Sequence, residues 1–97
     1  MTVAFEWDEA KATSNLAKHR IAFELAQRVW DDPLHVIVFD RFENGEPRWH
    51  AIGTVRDFTV LVVIHMHPGP DDENRVRIIG ARKATNPERK RYEQEAF

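Results

Sequence analysis

Arginine and lysine are the side chains with the clearest chemical potential in this sequence, and they are concentrated towards its end. Residues 75–97 contain three glutamates and seven cations, namely Arg75, Arg77, Arg82, Lys83, Arg89, Lys90 and Arg91. Residues 1–74 contain seven Lys or Arg and thirteen Asp or Glu, so the two parts carry −6 and +4 and sum to the net charge of −2. Because local potential rather than net charge attracts a polyanion, this asymmetry indicates either a polyanion-binding surface or an ordinary solvated face.

Phosphate chemistry suits the spacing of these cations. Arg75 and Arg77 share one face of a predicted strand, and Arg82 and Lys83 follow where that strand should end. A guanidinium fits phosphate with paired hydrogen bonds and stabilises the charge of a phosphoryl transition state. Since RNA carries its own nucleophile, the 2′-hydroxyl, a metal-free ribonuclease needs only positioning, a cation, a proton acceptor and a proton donor. The alternative is an arginine-rich sheet edge that resists aggregation.

Histidine and tyrosine complete the reactive side chains. Arg48 and His50 share a face of an earlier predicted strand. His65 and His67 also share a strand face and would bind a metal only with help from Asp71 or Asp72, whose spacing to the pair is not that of a known site, so we expect no metal. Tyr92 would either stack on a base or pack the last helix against the sheet. Phosphate-loop, Gly-x-Ser-x-Gly and His-Glu-x-x-His motifs are absent from the sequence.

Length and composition predict one domain, residues 1–97, in the cytoplasm. A chain of 97 residues is of single-core size. Its longest apolar run, residues 60–64, is too short to cross a bilayer, and its first residues do not resemble a signal peptide. The sequence has no cysteine, which excludes disulfides and thiolate zinc sites.

The first third of the chain has helical patterns. A short strand at residues 5–7 leads to Asp8, a predicted N-cap for a helix over residues 9–19. Lys11, Asn15 and Lys18 share one face of this helix. A second helix, residues 23–30, should end before Asp32-Pro33.

The rest of the chain has the period of strands, followed by one helix. Strands are predicted at residues 35–41, 48–55, 59–67 and 75–81, with an Asn-Gly turn after the first and the most apolar strand, 59–67, in the middle of the sheet. Residues 67–74 should form an exposed loop. Thr85 and Glu88 have the spacing of a capping box that opens a basic helix. The order β-α-α-β-β-β-β-α indicates an α+β fold.

Many of these residues also carry a resemblance to a known family. The shared positions are Phe5-Glu6-Trp7-Asp8, Lys11, Asn15, Lys18-His19, Phe23, Asp32-Pro33, Arg48-Trp49, Ile52-Gly53, the run Arg77-Ile78-Ile79-Gly80-Ala81-Arg82-Lys83-Ala84, Glu88-Arg89 and Tyr92-Glu93. Together they resemble the BrnT family of bacterial toxins over essentially the whole chain.

The resemblance implies a ribonuclease toxin of a type II toxin–antitoxin pair with a RelE-like fold. Such a toxin would inhibit translation by cutting RNA, without a cofactor. Its expected partner is a BrnA-like ribbon-helix-helix antitoxin, bound in a heterotetramer that contacts operator DNA only through the antitoxin. We expect no membrane partner, and we expect the antitoxin to dock at least partly on the basic surface. The alternative class is a non-catalytic module that binds nucleic acid or protein.

Site residues follow from the resemblance and from analogy with RelE-like sheets. Arg77 and Arg82 are expected at the scissile phosphate, and His65 and Tyr92 are the candidate proton-transfer groups. The RNA backbone would be held by Lys11, Lys18, Arg48, Arg75 and Lys83. Gly80 departs from the family pattern, since a serine is expected in the last strand. The loop from His67 to Asn74 is long and acidic for this position, so the resemblance implies no role for His67.

Overall fold

Five strands and three α-helices make up the chain in the computed structural model, which describes residues 3–69 and 74–96, with side chains up to Glu95. The strands are β1 (Ala4–Glu6), β2 (Val36–Glu43), β3 (Glu46–Thr54), β4 (Val60–Met66) and β5 (Arg75–Lys83). The helices are α1 (Glu9–His19), α2 (Phe23–Ala26) and α3 (Asn86–Ala96), with short 3₁₀ turns at Gln27–Asp31 and Arg56–Phe58. The α+β class and the C-terminal helix are therefore confirmed.

Local signals in the sequence account for most element boundaries. Asp8 caps α1 by accepting hydrogen bonds from the backbone N–H groups of Ala10 and Lys11, at 2.8 and 3.2 Å. The second helix is shorter than expected, because its last turns tighten to 3₁₀ geometry from Gln27 onward. None of the helices in the described part of the chain has the length and apolar character needed to cross a membrane.

One mixed sheet, in the order β1-β5-β4-β3-β2, contains all five strands. Asn44 and Gly45, with φ of 53° and 76°, form the predicted tight turn between β2 and β3. Strand β4 lies at the centre, as its apolar sequence indicated. Strand β1 joins the sheet at the other edge, parallel to β5, with Glu6 beside Arg77. This long-range parallel pairing has no local signal in the sequence.

The sheet has two covered faces. On the first, which we call the α1/α2 face, Val63, Ile78 and Ala81 pack with Phe23 and Val29 in the larger core. On the second, the α3 face, Ile52, Val60 and Val62 pack with Tyr92 in a smaller core. Because side chains alternate along a strand, each chemically active residue belongs to one face or the other.

Helix α1 lies along the part of β5 that β1 does not reach. Asn15 is buried there: its Oδ1 accepts a hydrogen bond from the N–H of Ala81 at 3.0 Å, and its Nδ2 donates to the carbonyl of Ile21 at 2.9 Å. Leu16 is 48% exposed. A polar side chain, Asn15, thus attaches α1 to the sheet. It satisfies a backbone N–H and a backbone C=O that are not paired with a neighbouring strand.

Candidate functional site

Nine positions on the α3 face form a grid across the three central strands. Strand β5 contributes Arg77, Gly80 and Arg82, strand β4 contributes Met66, Ile64 and Val62, and strand β3 contributes Arg48, His50 and Ile52. A bulge in the β4–β5 pairing after Ile64 brings Gly80 opposite that residue. Ile64 lies at the centre of this grid, and we call the four basic residues around it, Arg48, His50, Arg77 and Arg82, the arginine site.

Arg77 is held by an acidic residue of the neighbouring strand. Its Nε and Nη2 donate to Oε2 of Glu6 at 3.0 and 2.8 Å, while Arg75 Nη2 donates to Oε1 at 2.7 Å. The hydrogen bonds from Arg77, then from Arg75, hold the pKa of Glu6 below its ordinary value. Both guanidinium groups are about half exposed, at 46% and 48%. They are therefore oriented by Glu6 and still open to solvent.

Arg82 is held by the first turn of α3. Its Nη1 and Nη2 donate to the two carboxylate oxygens of Glu88 at 2.7 and 2.9 Å. The Arg82 hydrogen bond is the main cause that lowers the pKa of Glu88 to about 2, and the same pair raises the pKa of Arg82. Glu88 also accepts from the N–H and hydroxyl of Thr85, which confirms the predicted capping box. One carboxylate thus starts α3 and fixes Arg82.

Arg48 is the most enclosed cation of the arginine site. Its side chain is 11% exposed, and its Nε and Nη1 lie 3.4 and 3.5 Å from carboxylate oxygens of Glu43 and Glu46. Nη1 also lies 2.7 Å from the sulfur of Met66. The acidic ends of the β2–β3 hairpin therefore hold Arg48 against the sheet.

A histidine–aspartate pair lies at the edge of the arginine site. His50 Nε2 is 3.4 Å from Asp40 Oδ2, and both side chains are 18% exposed. A bulge in β2 between Phe39 and Arg41 accompanies the placement of Asp40 beside His50. Sequence analysis assigned His50 no role, although its period-two spacing from Arg48 was visible. The missing signal was Asp40, which reaches His50 only across the folded hairpin.

His65 lies on the opposite side of the sheet from the arginines with which it was expected to act. It is 1% exposed, its Nδ1 is 3.1 Å from the carbonyl oxygen of Val63, and its ring packs on Trp30 at 4.9 Å. Burial lowers its pKa to about 4, which keeps the ring neutral near pH 7. The alternation of β4 puts His65 with Val63 on the α1/α2 face and away from Arg77.

Tyr92, the other residue expected to transfer a proton, has its hydroxyl hydrogen-bonded to Asp32. It donates to Asp32 Oδ2 at 2.6 Å, and the N–H and hydroxyl of Thr54 donate to the same oxygen at 2.9 Å each. Burial and the Asp32 hydrogen bond raise the pKa of Tyr92. Burial alone would raise the pKa of Asp32, but the hydrogen bonds it accepts outweigh this and lower it. Tyr92 therefore packs and anchors α3, the alternative considered from the sequence.

Lys11, Lys18 and Lys83 differ from the arginines of the arginine site, because they have no carboxylate partner in the described part of the chain. Lys11 and Lys18 line a shallow groove between α1 and Ile79 of β5, on either side of Asn15, and Lys83 is exposed at the end of β5. Within residues 3–69 and 74–96, no carboxylate lies within 4 Å of these three ammonium groups. Their charge is thus free to attract an anion.

Two further sequence features have simple outcomes. A Cβ added at Gly80 would lie 3.6 Å from Ile64 and 3.7 Å from Asn15, which is ordinary contact, so the expected serine would fit here. His65 and His67 have ring centroids 5.6 Å apart, and His67 Nδ1 contacts the carbonyl of Arg75. The two aspartates considered with this pair, Asp71 and Asp72, lie outside the described residues.

Comparison with known proteins agrees with this architecture. The sequence model of the BrnT family, described as a ribonuclease toxin of a type II toxin-antitoxin system, matches residues 7–88. Among solved structures, the 1.1 Å crystal structure of the Brucella abortus ribonuclease toxin BrnT is similar with a TM-score of 0.59 and 23% identity, covering 88% of this chain and 100% of that one. At this identity the likeness shows the fold. The comparison with curated protein sequences gives no match.

Proposed function

Because this chain belongs to the BrnT family of ribonuclease toxins of type II toxin-antitoxin systems, we propose that it is a metal-independent endoribonuclease that cleaves RNA at the arginine site. The observation that supports this location is the presence of Arg77, Arg82 and the His50–Asp40 pair on one face of the sheet. A cation for the phosphate and a group for proton transfer are the parts that RNA cleavage needs when the 2′-hydroxyl is the nucleophile.

The reaction proposed is attack of the 2′-hydroxyl on the adjacent phosphorus. The bond from phosphorus to the 5′-oxygen breaks, and the products are a 2′,3′-cyclic phosphate and a 5′-hydroxyl. One proton leaves the 2′-hydroxyl and one is delivered to the departing 5′-oxygen. Arg77 and Arg82 bind the phosphate and stabilise its extra negative charge in the transition state.

Ion pairing leaves these arginines able to bind phosphate. A guanidinium has five N–H donors. Arg82 uses two atoms on Glu88, and Arg77 uses two on Glu6. Arg82 Nη1 also donates to the carbonyl oxygen of Lys83 at 3.5 Å. The donors that remain on each group can bind phosphate, and the glutamates hold both guanidinium groups in place, which reduces the entropy lost on binding.

His50 takes the proton-transfer role in place of His65 and Tyr92. It lies two strands from β5, in register with Ile64 and through it with Gly80, which stands between Arg77 and Arg82 along β5, and it is partly exposed. Asp40, whose Oδ2 lies 3.4 Å from Nε2 of His50, orients the ring, as a carboxylate does for a catalytic histidine. The RNA backbone is bound outside the arginine site by Lys11, Lys18, Lys83 and Arg75. Arg48, on the α3 face beside Met66, is a further contact for the backbone.

The biological setting proposed follows from the family. Cleavage of RNA inhibits translation in the cytoplasm, and a BrnA-like ribbon-helix-helix antitoxin neutralises the toxin in a heterotetramer. The complex binds operator DNA through the antitoxin. The RelE-like designation of the fold belongs to this proposal as well.

RNA cleavage by the purified chain in excess EDTA tests the proposal. We expect a single-stranded RNA to be cut, and an oligonucleotide of the same sequence with 2′-deoxyribose throughout to bind and stay intact. Activity that is lost in EDTA and restored by a divalent ion would contradict metal independence. Binding of RNA without any cleavage would instead identify a non-catalytic module.

A further inference from the structure

Aromatic and aliphatic side chains are exposed together on the outer strands of the sheet. Ile37 and Phe39 are each 45% exposed, and Phe42 is 69% exposed. The ring of Phe39 lies 5.2 Å from that of Phe42 and 5.5 Å from that of Trp49. We call these four residues the apolar surface. Such contiguous exposed aromatic groups are typical of protein-binding sites, where aromatic residues supply most of the binding free energy.

The apolar surface belongs to the α1/α2 face, away from the arginine site. Phe39 pairs with Trp49, and Trp49 pairs with His65, so all three side chains share that face. Ile37 and Trp49 open into a groove whose other main lining residues are Trp30, Pro47, His65 and His67. Strand β2 is at the edge of the sheet, and in the described part of the chain its only strand neighbour is β3. An incoming segment would therefore meet both a groove and a free strand edge.

Charge decides which kind of partner fits. Glu46 is the one charged residue that lines the groove, and no Lys or Arg does so among the described residues. A polyanion gains nothing from such a surface, whereas an apolar protein segment does. The cations that suit RNA lie elsewhere: Arg77 and Arg82 are on the other face, Lys11 and Lys18 line the α1–β5 groove, and Lys83 is at the end of β5, three strands away from β2.

We propose that the apolar surface is the docking site of the antitoxin, which occupies it with an apolar segment. This inference rests on the proposed function, since a type II toxin has a protein antitoxin as its partner. It departs from the expectation that the antitoxin docks on the basic surface. An aromatic surface gives stable binding through buried apolar area, and a rim of paired charges gives little. The antitoxin then binds the α1/α2 face, which takes no part in catalysis.

The test is the affinity of the purified toxin for the purified antitoxin encoded beside it, measured by titration calorimetry. The variant Phe39→Ser with Phe42→Ser should bind at least about thirtyfold more weakly, the loss expected for interface hot spots. Phe58→Ser is the matched control, because Phe58 is 91% exposed in the Arg56–Phe58 turn and lies outside the apolar surface. Its affinity should equal that of the wild type.

Additional measurements separate antitoxin binding from catalysis and from folding. RNA cleavage by the free double variant should equal that of the wild type, so a failed ribonuclease assay and a failed docking site are distinguishable. If the double variant unfolds, Phe42→Ser alone and hydrogen exchange of the wild type take its place, and antitoxin should protect the amides of residues 37–49. An unchanged affinity in a folded variant overturns the proposal. The proposal is also overturned if Lys83→Glu, with no other change, weakens the affinity for the antitoxin. It is overturned as well if the wild type is a homodimer that the double variant dissociates while its affinity for the antitoxin stays the same.

Discussion

Each basic residue of the arginine site has a carboxylate partner, and this partner determines how its side chain is oriented. Glu6 holds Arg77, Glu88 holds Arg82 and Asp40 holds His50. The Arg77–Glu6 pair is the most exposed of the three, at 46% and 34%, and such a pair contributes little to stability, so its main effect is to limit the motion of Arg77. In the proposed function, RNA is drawn to the surface by cations that have no acidic partner in the described part of the chain, such as Lys83.

The first prediction concerns His50. Replacing it in His50→Gln removes the proton-transfer group and leaves the phosphate-binding cations in place. We expect single-turnover RNA cleavage to fall by about 100-fold or more, the usual contribution of general acid–base catalysis, while RNA affinity stays the same. His19→Gln, on α1, serves as the control and should cleave normally. Full activity in His50→Gln would exclude His50 from the chemistry.

The second prediction concerns Tyr92. Tyr92→Phe keeps the ring in the smaller core and deletes the hydroxyl that donates to Asp32. Because a hydrogen bond to a charged group is lost, we expect the free energy of unfolding to fall by about 1.5 kcal/mol in urea titration. The cleavage rate of the folded protein should not change. A variant with wild-type stability and strongly reduced cleavage would return Tyr92 to the catalytic residues.

At the scale of elements, α3 is attached to the sheet near its start and again near its middle. Glu88 binds Arg82 of β5, and Tyr92 donates a hydrogen bond to Asp32, which directly follows the 3₁₀ turn Gln27–Asp31. The helix itself is strongly polar, and Tyr92 is its buried residue in the smaller core. These two contacts, more than an apolar stripe, therefore keep α3 on the sheet and Arg82 in position.

The third prediction is an acid dependence of stability that originates in Glu88. Its pKa is lowered to about 2 from an ordinary 4.5. A carboxylate with a lowered pKa stabilises the fold above its unfolded-state pKa, and this stabilisation is lost as the pH falls from about 4.5 towards 2. Glu88→Gln should be less stable than the wild type at neutral pH, and the difference should shrink across that interval in thermal unfolding. Glu93→Gln on the same helix is the control, and a constant difference for Glu88→Gln would contradict the ion pair.

Elements with local signals were predictable from the sequence, and long-range ones were not. The Asp8 cap, the Asn44-Gly45 turn, the Thr85–Glu88 capping box and the central apolar strand each depend on residues close together in the chain. The parallel pairing of β1 with β5 does not, and it is what brings Glu6 to Arg77. The face on which His65 lies was also not predictable, because the strand pattern shows which residues share a face but not which face the helices cover.

At the scale of the whole molecule, the two sides of the sheet have different surfaces. The α3 face exposes arginines, and the outer part of the α1/α2 face exposes the apolar surface. The sequence indicated the first through its charge asymmetry. It did not indicate the second, because Ile37, Phe39 and Phe42 have the composition of an ordinary strand, and only the fold shows that no helix formed by the described residues covers them.

The fourth prediction follows from this distribution of charge. Removing one phosphate contact from a single-stranded complex lowers the slope of log affinity against log salt by about 0.7. Lys83→Ala should therefore weaken RNA binding and reduce the slope by about that amount, whereas Phe42→Ser should change neither quantity. Unchanged salt dependence in Lys83→Ala would mean that RNA approaches another surface.

The most direct test of the account is single-turnover cleavage of a labelled RNA by paired arginine variants. The first carries Arg77→Gln with Arg82→Gln, and the matched control carries Arg20→Gln with Arg28→Gln, both exposed and outside the arginine site. Both must show a wild-type circular dichroism spectrum. We predict that the first variant loses at least about 100-fold in cleavage rate, as when a transition-state charge loses its donors, and that the control retains the wild-type rate. Equal rates in the folded variants would show that cleavage does not occur at the arginine site.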